Sequence, residues 1–418
     1  MRSIVIDFRK LDSPKKVHKF LAEKLAFPSY YGRNLDALHD LLSEIDQDTT
    51  VYLISGGHEF EDGFEAVFAD VREENEHFFT KSGEIAQILE ELERVDSPSA
   101  YCDKIIPYLN EWWTSRGFET KLLRKGGVLV TLGGEGNPLI LMSHADTLGA
   151  VVGEIKGNGH IKMSNVTLNA NNIETENCRV ITDDGRVLEG TVQLTNPSIH
   201  VNGEFSKTER SFDSIEVVLD ENVSSKEEVE ALGVQPGDVV AVDPRFVLTD
   251  AGYIKSRYQD DKASVAIIMS MANDIKNGNI KLKRKVYFLI TMYEEYAMGG
   301  ACGIPEDVED ILCVDMGCVG DGIACTEHEV SICRKDSRNV YNREMTHELM
   351  ECAKAAKISA SIDIYPHYSS DANVAMQAGY DLRHALIGPG IYASHGYERS
   401  HLDGLTATKE LLEAYLGE

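Results

Sequence analysis

Residues 139–146 read Leu139-Ile140-Leu141-Met142-Ser143-His144-Ala145-Asp146: four apolar side chains, then a polar turn with an imidazole and a carboxylate. A strand apolar at every position is buried on both faces, as at the centre of a parallel sheet. The pattern recurs twice. Val286-Tyr287-Phe288-Leu289-Ile290 runs into Thr291-Met292-Tyr293-Glu294-Glu295, and Ile311-Leu312-Cys313-Val314 runs into Asp315. A helical pattern near 261–275 precedes the second of these. Strands alternating with helices predict an α/β layer sandwich. Open α/β sheets bind ligands just beyond the carboxyl ends of their strands. The three strand ends therefore deliver His, Asp and Glu to one edge.

Outward from this core, strands are expected at Gly127–Leu132 and Pro138–Met142. Two helices precede them, one with Ile85, Ile88, Leu89 and Leu92, the other with Ile105, Ile106, Leu109 and Trp112. Residues of about 151–249 break the alternation. They are rich in Gly, Thr, Asn and Val, and short stretches such as Ile199-His200-Val201 and Asp238–Val242 read as strands. This predicts a β-rich domain, barrel- or PDZ-like, inserted into an α/β domain made of 84–150 plus 250–418. Residues 1–83 form a further small α/β unit. It has a strand at Ser3–Phe8, a helix opened by Ser13-Pro14, a helix over about 34–45 with Leu35, Leu38, Leu42 and Ile45 inward, a strand at Val51–Ser55 and a helix over 60–75.

The chain has 418 residues, 41 basic and 69 acidic, for a net charge of -28. So acidic a chain repels phosphate backbones, which excludes nucleic acid as an expected partner. No apolar run is long enough for a membrane span, and the N-terminus lacks a signal-peptide core. The eight cysteines include no C-x-x-C pair, so free thiols in a reducing compartment are expected, and with them a cytoplasmic protein.

Taken singly, the polar strand ends are ordinary. An H-x-D triplet is usually a surface turn, paired acids such as Glu294-Glu295 a solvated loop, and Asp260-Asp261 before a helix an N-cap. His401, before the helix at Leu405–Leu416, would be an exposed histidine. Taken together they converge where one site would form, and His, Asp and Glu are the donors that zinc takes in the absence of cysteine.

Residues of about 84–418 resemble the tetrahedral (TET) or deblocking aminopeptidases, metallopeptidase family forty-two. The motifs are Ser143-His144-Ala145-Asp146, Asp260-Asp261-Lys262, Glu294-Glu295, Val314-Asp315-Met316-Gly317 and Arg399-Ser400-His401. The resemblance implies a phosphorylase/hydrolase-like layered metallopeptidase domain. It implies two divalent ions per chain, zinc or alternatively cobalt, acting on peptide substrates. Asp260 would bridge the ions, with His144 and Asp315 completing one site and Glu295 and His401 the other. Glu294 would be the general base, and Asp146 would hydrogen-bond the His144 ring. Homo-oligomers built through the inserted domain are also implied. Lys262 stands where the family commonly has arginine and Tyr293 where it has glutamine. His395, in Ser394-His395-Gly396, competes with His401 for the last ligand position; His401 is preferred because it directly precedes the final helix. His367 and Asp371 either line the cleft or belong to a structural loop.

The stretch Pro28-Ser29-Tyr30-Tyr31-Gly32-Arg33-Asn34-Leu35-Asp36-Ala37-Leu38-His39-Asp40 resembles barstar, an inhibitor of a secreted bacterial ribonuclease. Asp36 and Asp40 are four apart and share a helix face opposite the leucines. By this resemblance Tyr30, Asn34, Asp36 and Asp40, with Asp70 as a further acid, would contact a basic ribonuclease. His39 replaces the tryptophan found in barstar, and the last strand is expected only over about 77–80. The rival to the enzyme is therefore a binding protein, in which the barstar-like domain sequesters a ribonuclease and the rest is a scaffold. A metal-free glycosidase using two carboxylates is a second rival.

Overall fold

The computed structural model describes residues 2–418. The N-terminal unit runs β1 (Arg2–Asp7), α1 (Pro14–Lys24), α2 (Leu35–Ser43), β2 (Thr49–Ile54), α3 (Glu61–Glu74) and β3 (Phe78–Ser82). Its three strands are parallel in the order β1-β2-β3. The third strand is longer than its sequence suggests, and pairs with β2 from Thr49↔Phe78 to Leu53↔Ser82. Strand periodicity sends Ile6, Phe8 and Val51 to one face, where Val17, Leu21, Leu38, Leu42, Phe64 and Phe68 cover them.

The opposite face is also buried. Val5, Tyr52 and Ile54 belong to the same apolar core as the large α/β layer that follows. No linker intervenes. After β3 the chain turns at Gly83 into α4 (Glu84–Glu93), which packs on both β2 and the large α/β layer. A parallel sheet needs apolar cover on both sides, and here the second cover comes from the neighbouring domain. The ion pairs Lys24–Asp250 (2.8 Å) and Lys81–Glu410 (2.7 Å) fasten the rim.

The chain continues through α5 (Ile105–Ser115), β4 (Glu119–Leu122), β5 (Val128–Gly133) and β6 (Leu139–His144). It then leaves the layer for β7 (Gly149–Ile155), β8 (Ile161–Val166), β9 (Asn177–Ile181), β10 (Val187–Leu194), β11 (Ile215–Leu219), α6 (Lys226–Ala231) and β12 (Val239–Val242). These strands close a barrel in the order β10-β11-β8-β7-β12-β9 around Val152, Ile161, Val180, Val192 and Val217. Ile199–Val201 is not a strand. It is an exposed turn between Pro197 and Gly203, with no neighbouring strand to take its backbone hydrogen bonds.

The chain re-enters with β13 (Val247–Leu248), β14 (Tyr253–Ser256), α7 (Gln259–Asn277), β15 (Val286–Thr291), β16 (Asp310–Val314), β17 (Gly317–Val319), β18 (Val330–Lys335), α8 (Arg343–Ala356), β19 (Ala360–Ile364), α9 (Asp371–Gln377), β20 (Arg383–Tyr392), β21 (Glu398–His401) and α10 (Leu402–Leu416). The large sheet is mixed. β6 lies between β15 and β16 and is parallel to both, whereas β5 joins β15 antiparallel. All six residues of β6 and of β15 are buried. No described helix is long and apolar enough to cross a membrane. All eight cysteines are free, and only Cys302 is exposed.

A buried lysine joins α4 to the turn that starts α7. Lys262 Nζ donates to the carbonyls of Leu92 (3.0 Å) and Val95 (2.8 Å). Glu93 is buried beside it, and neither carboxyl oxygen has a hydrogen-bond partner among the described residues. Burial pushes its carboxyl up to about 8, against the pull of Lys262. A carboxyl whose pKa rises on folding stabilises the fold below its unfolded value of 4.5, and that contribution is lost as pH climbs toward 8. Glu93→Gln fixes the neutral form at every pH. It is expected to match the wild type at pH 5 and to exceed it at pH 8, by up to about 4 kcal/mol. Calorimetric melting at the two pH values checks this; a variant no more stable at pH 8 contradicts it.

Candidate metal centre

The parallel register fixes which strand ends are neighbours. His144 ends β6 opposite Thr291 of β15, and Met142 lies opposite Cys313 of β16. Asp315, Glu294 and Glu295 therefore emerge on either side of His144. Tyr293 (φ 67°) turns β15 sharply toward the sheet edge, and Tyr258 (φ 67°) does the same ahead of Asp260. Left-handed backbone at residues other than glycine is costly and gathers at functional sites.

Two clusters share Asp260. The ligand atoms of His144, Asp260 and Asp315 lie within 4.8 Å of one another, and so do those of Asp260, Glu295 and His395. Asp260 Oδ1 is 3.2 Å from His144 Nε2, and Oδ2 is 3.4 Å from His395 Nε2. His395 Nε2 is also 3.6 Å from Glu295 Oε2. Glu294 Oε2 is 3.7 Å from His144 Nε2.

His401 does not join this group. Its Nε2 is bonded to the carbonyl of Ala251 (2.7 Å) and its Nδ1 accepts the N–H of Asp403 (3.0 Å), so neither ring nitrogen is turned toward Asp260 or Glu295. The start of a helix has free N–H groups, and His401 is spent capping α10. His395, in a left-handed turn between β20 and β21, holds the position expected for it.

Asp146 also acts differently from expectation. His144 Nδ1 bonds to the Asp146 main-chain carbonyl (2.9 Å), while the Asp146 carboxylate is 3.6 Å away. That carboxylate instead accepts the N–H groups of Glu294 (3.1 Å) and Glu295 (3.4 Å) and the hydroxyl of Ser99. The carbonyl holds a hydrogen on His144 Nδ1, leaving Nε2 turned toward Asp260.

Sequence reading missed Glu398. This buried carboxylate accepts the N–H of Asp260 (3.1 Å) and of His395 (3.0 Å), tying together the two segments that meet at the second cluster. Asp371 is a brace and does not line the cleft: it accepts from Thr291 Oγ1 and from the N–H of Gly300. His367 and Tyr368 line the cavity, with Arg338 on its wall.

Burial, then the charge of Asp260, pushes Asp315 up to about 7 and Glu295 up to about 8. Burial likewise holds Glu294 well above the usual carboxylate range. Burial alone would lower the two imidazoles, but hydrogen bonds to Asp260 and the surrounding carboxylates raise both, His395 to about 10. Carboxyl groups thus crowd a desolvated space in which they outnumber the two imidazoles. Two acceptors there, Asp261 Oδ1 and Glu295 Oε1, have no partner among the described residues. Imidazole and carboxylate donors with spare acceptor capacity fit divalent cations of the zinc class. A cavity of about 510 Å³ opens over both clusters.

The sequence pattern of M42 glutamyl aminopeptidases matches residues 126–411, an interval that contains every residue of both clusters. The chain belongs to the M42 glutamyl aminopeptidase family. It is therefore an aminopeptidase-type hydrolase of a family that works with divalent metal ions. Residues 1–93 match barstar (barnase inhibitor). The M42 portion is 39% identical over 333 residues to YhfE of Bacillus subtilis (strain 168), which carries a provisional aminopeptidase name; the match covers 79% of this chain and 96% of YhfE. The barstar-like portion is 43% identical over 70 residues to YrdF of the same organism, provisionally named a ribonuclease inhibitor; that match covers 17% of this chain and 76% of YrdF. The M42 fold superposes on the TET1 peptidase of Pyrococcus horikoshii with a TM-score of 0.70 at 20% identity, covering 80% of this chain and 99% of that one.

In the barstar-like domain Tyr30 is 80% exposed, and Asp36 and Asp40 are exposed on one side of α2. Asn34 is exposed too, but its side chain caps α2 by accepting the N–H of Ala37 (2.8 Å).

Proposed function

We propose that this M42 enzyme removes N-terminal residues from peptides at a dinuclear centre, with Glu294 as general base. The observation that carries this reading is the Asp260 carboxylate, whose two oxygens face two different histidines, His144 and His395. A carboxylate so placed is suited to bridge. His144 and Asp315 would complete one site, Glu295 and His395 the other. When bound, two divalent ions, zinc by donor type and replaceable by cobalt, supply Lewis acidity and lower the pKa of water toward neutrality.

The remaining chemistry falls to the chain. Glu294, held through its main-chain N–H by Asp146, receives a proton from the attacking water on its carboxylate. It then delivers that proton to the nitrogen of the breaking amide, so the amine leaves neutral. Asp146 sets both acids by fixing the turn that carries them. The acidic cavity wall attracts the substrate's free α-ammonium group, which confines cleavage to the first peptide bond. Self-association is part of the proposal. The TET1 peptidase of Pyrococcus horikoshii can assemble into a tetrahedron or an octahedral shell, and here the barrel's long loop exposes Ile199 and Val201.

The test is release of N-terminal residues from a panel of aminoacyl and short-peptide substrates. It compares zinc- or cobalt-loaded protein with chelator-stripped protein, with mass measured by light scattering. Release that disappears on stripping and returns with metal is expected, from an assembly larger than one chain. No release from any substrate by metal-loaded protein defeats the enzyme reading, and a monomer defeats the assembly.

A further inference from the structure

We infer that His328, His401 and Asp403 form a second, separate metal site for a divalent ion of the zinc class, at the seam between the barstar-like and catalytic domains. His328 lies on the loop before β18, His401 ends β21, and Asp403 is in the first turn of α10. Their ligand atoms lie within 4.8 Å of one another. Asp403 Oδ2 is 2.9 Å from His328 Nδ1 and 3.2 Å from His401 Nδ1.

The outer sides of the rings are already fixed. His401 Nε2 sits 2.7 Å from the Ala251 carbonyl, which can only accept, so this nitrogen carries the hydrogen and Nδ1 keeps its lone pair. His328 Nε2 is 3.3 Å from the Tyr253 hydroxyl. Both imidazoles therefore turn Nδ1 inward and anchor Nε2 outward, as metal-ligating histidines do. The other Asp403 oxygen is also anchored, accepting from Tyr52 Oη (2.7 Å) and Ser3 Oγ (3.1 Å). One Asp403 oxygen and two Nδ1 atoms thus converge on one point. With the site empty, a hydrogen on His328 Nδ1 joins it to Asp403 Oδ2 (2.9 Å), and the Asp403 N–H serves His401 Nδ1. A divalent ion would take the place of that hydrogen between the three donors. On binding, His401 Nδ1 exchanges the Asp403 N–H for the ion.

Two histidines and one carboxylate leave a coordination position open. It faces a cavity of about 740 Å³ that Arg2, Lys81 and Lys357 help to line, so water or an anion would fill it. Tyr52 and Ser3 belong to the barstar-like domain and Asp403 to the catalytic domain. The ion would thus staple one to the other.

The test is zinc per chain by mass spectrometry on the full-length protein, equilibrated at low free zinc. His328 is only half-buried on a loop, so His328→Ala and His328→Asn should both fold. Each is expected to hold one zinc fewer than the wild type while keeping its peptidase activity within about twofold. In an Asp260→Asn background, which empties the other centre, one zinc should persist and vanish on adding His328→Ala. Equal zinc in the wild type and both His328 variants overturns the site, and it does so whether or not the chain cleaves peptides.

Discussion

Glu294→Gln is expected to lower kcat by about 10³-fold, within the range lost when a general base is removed, while the protein keeps its metal. The substitution is nearly isosteric. The main-chain bond from residue 294 to Asp146 does not involve the changed atoms, so the turn and the adjacent Glu295 should keep their places. What is lost is the ability to take a proton 3.7 Å from His144 Nε2, next to the shared Asp260. KM should change little, because the acidic wall that attracts the ammonium group is otherwise intact. Metal analysis beside steady-state kinetics separates the cases. Loss of kcat with full metal content marks a proton-transfer residue, and loss of metal would make Glu294 a ligand. Activity within tenfold of wild type would remove Glu294 from the chemistry.

The sequence disclosed some of this architecture and hid the rest for physical reasons. Strands β6, β15 and β16 were legible because burial on both faces leaves an unbroken apolar run, and each run stops at its polar residues. Their order in the sheet was not legible, since pairing is set by long-range packing. The last histidine illustrates the same limit. Standing directly before a helix made His401 attractive as a ligand, yet that position is what removes it, because its ring caps α10. His395 carries no local mark; its left-handed turn becomes meaningful only once β20 and β21 are folded back beside Asp260. Glu398 was invisible for a related reason. An acid flanked by Tyr397 and Arg399 looks solvated until the fold buries it against two main-chain N–H groups. In the first domain the apolar Val5, Tyr52 and Ile54 were readable as strand residues. That they complete the core of a neighbouring domain was not.

His395→Ala is expected to lower kcat/KM by at least about 10²-fold and to halve the metal retained at the centre, whereas Asp260→Asn should remove nearly all of it. The difference follows from geometry. Asp260 presents one oxygen to each histidine, so weakening it affects both positions at once. His395 Nε2 lies beside Asp260 Oδ2 and Glu295 Oε2, so its loss leaves His144 and Asp315 with their share of the site. Removing the imidazole also takes from Glu295, pushed up to about 8 by burial and the charge of Asp260, one of the two imidazoles that pull it down. Glu295 then binds its proton more tightly and competes less well for a metal. Activity of His395→Ala should therefore recover partly as pH rises, since a deprotonated Glu295 restores one donor. A His395→Ala protein with full metal content and unchanged kcat/KM would mean that the second cluster is closed by another residue, and the bridging role of Asp260 would lose its main support.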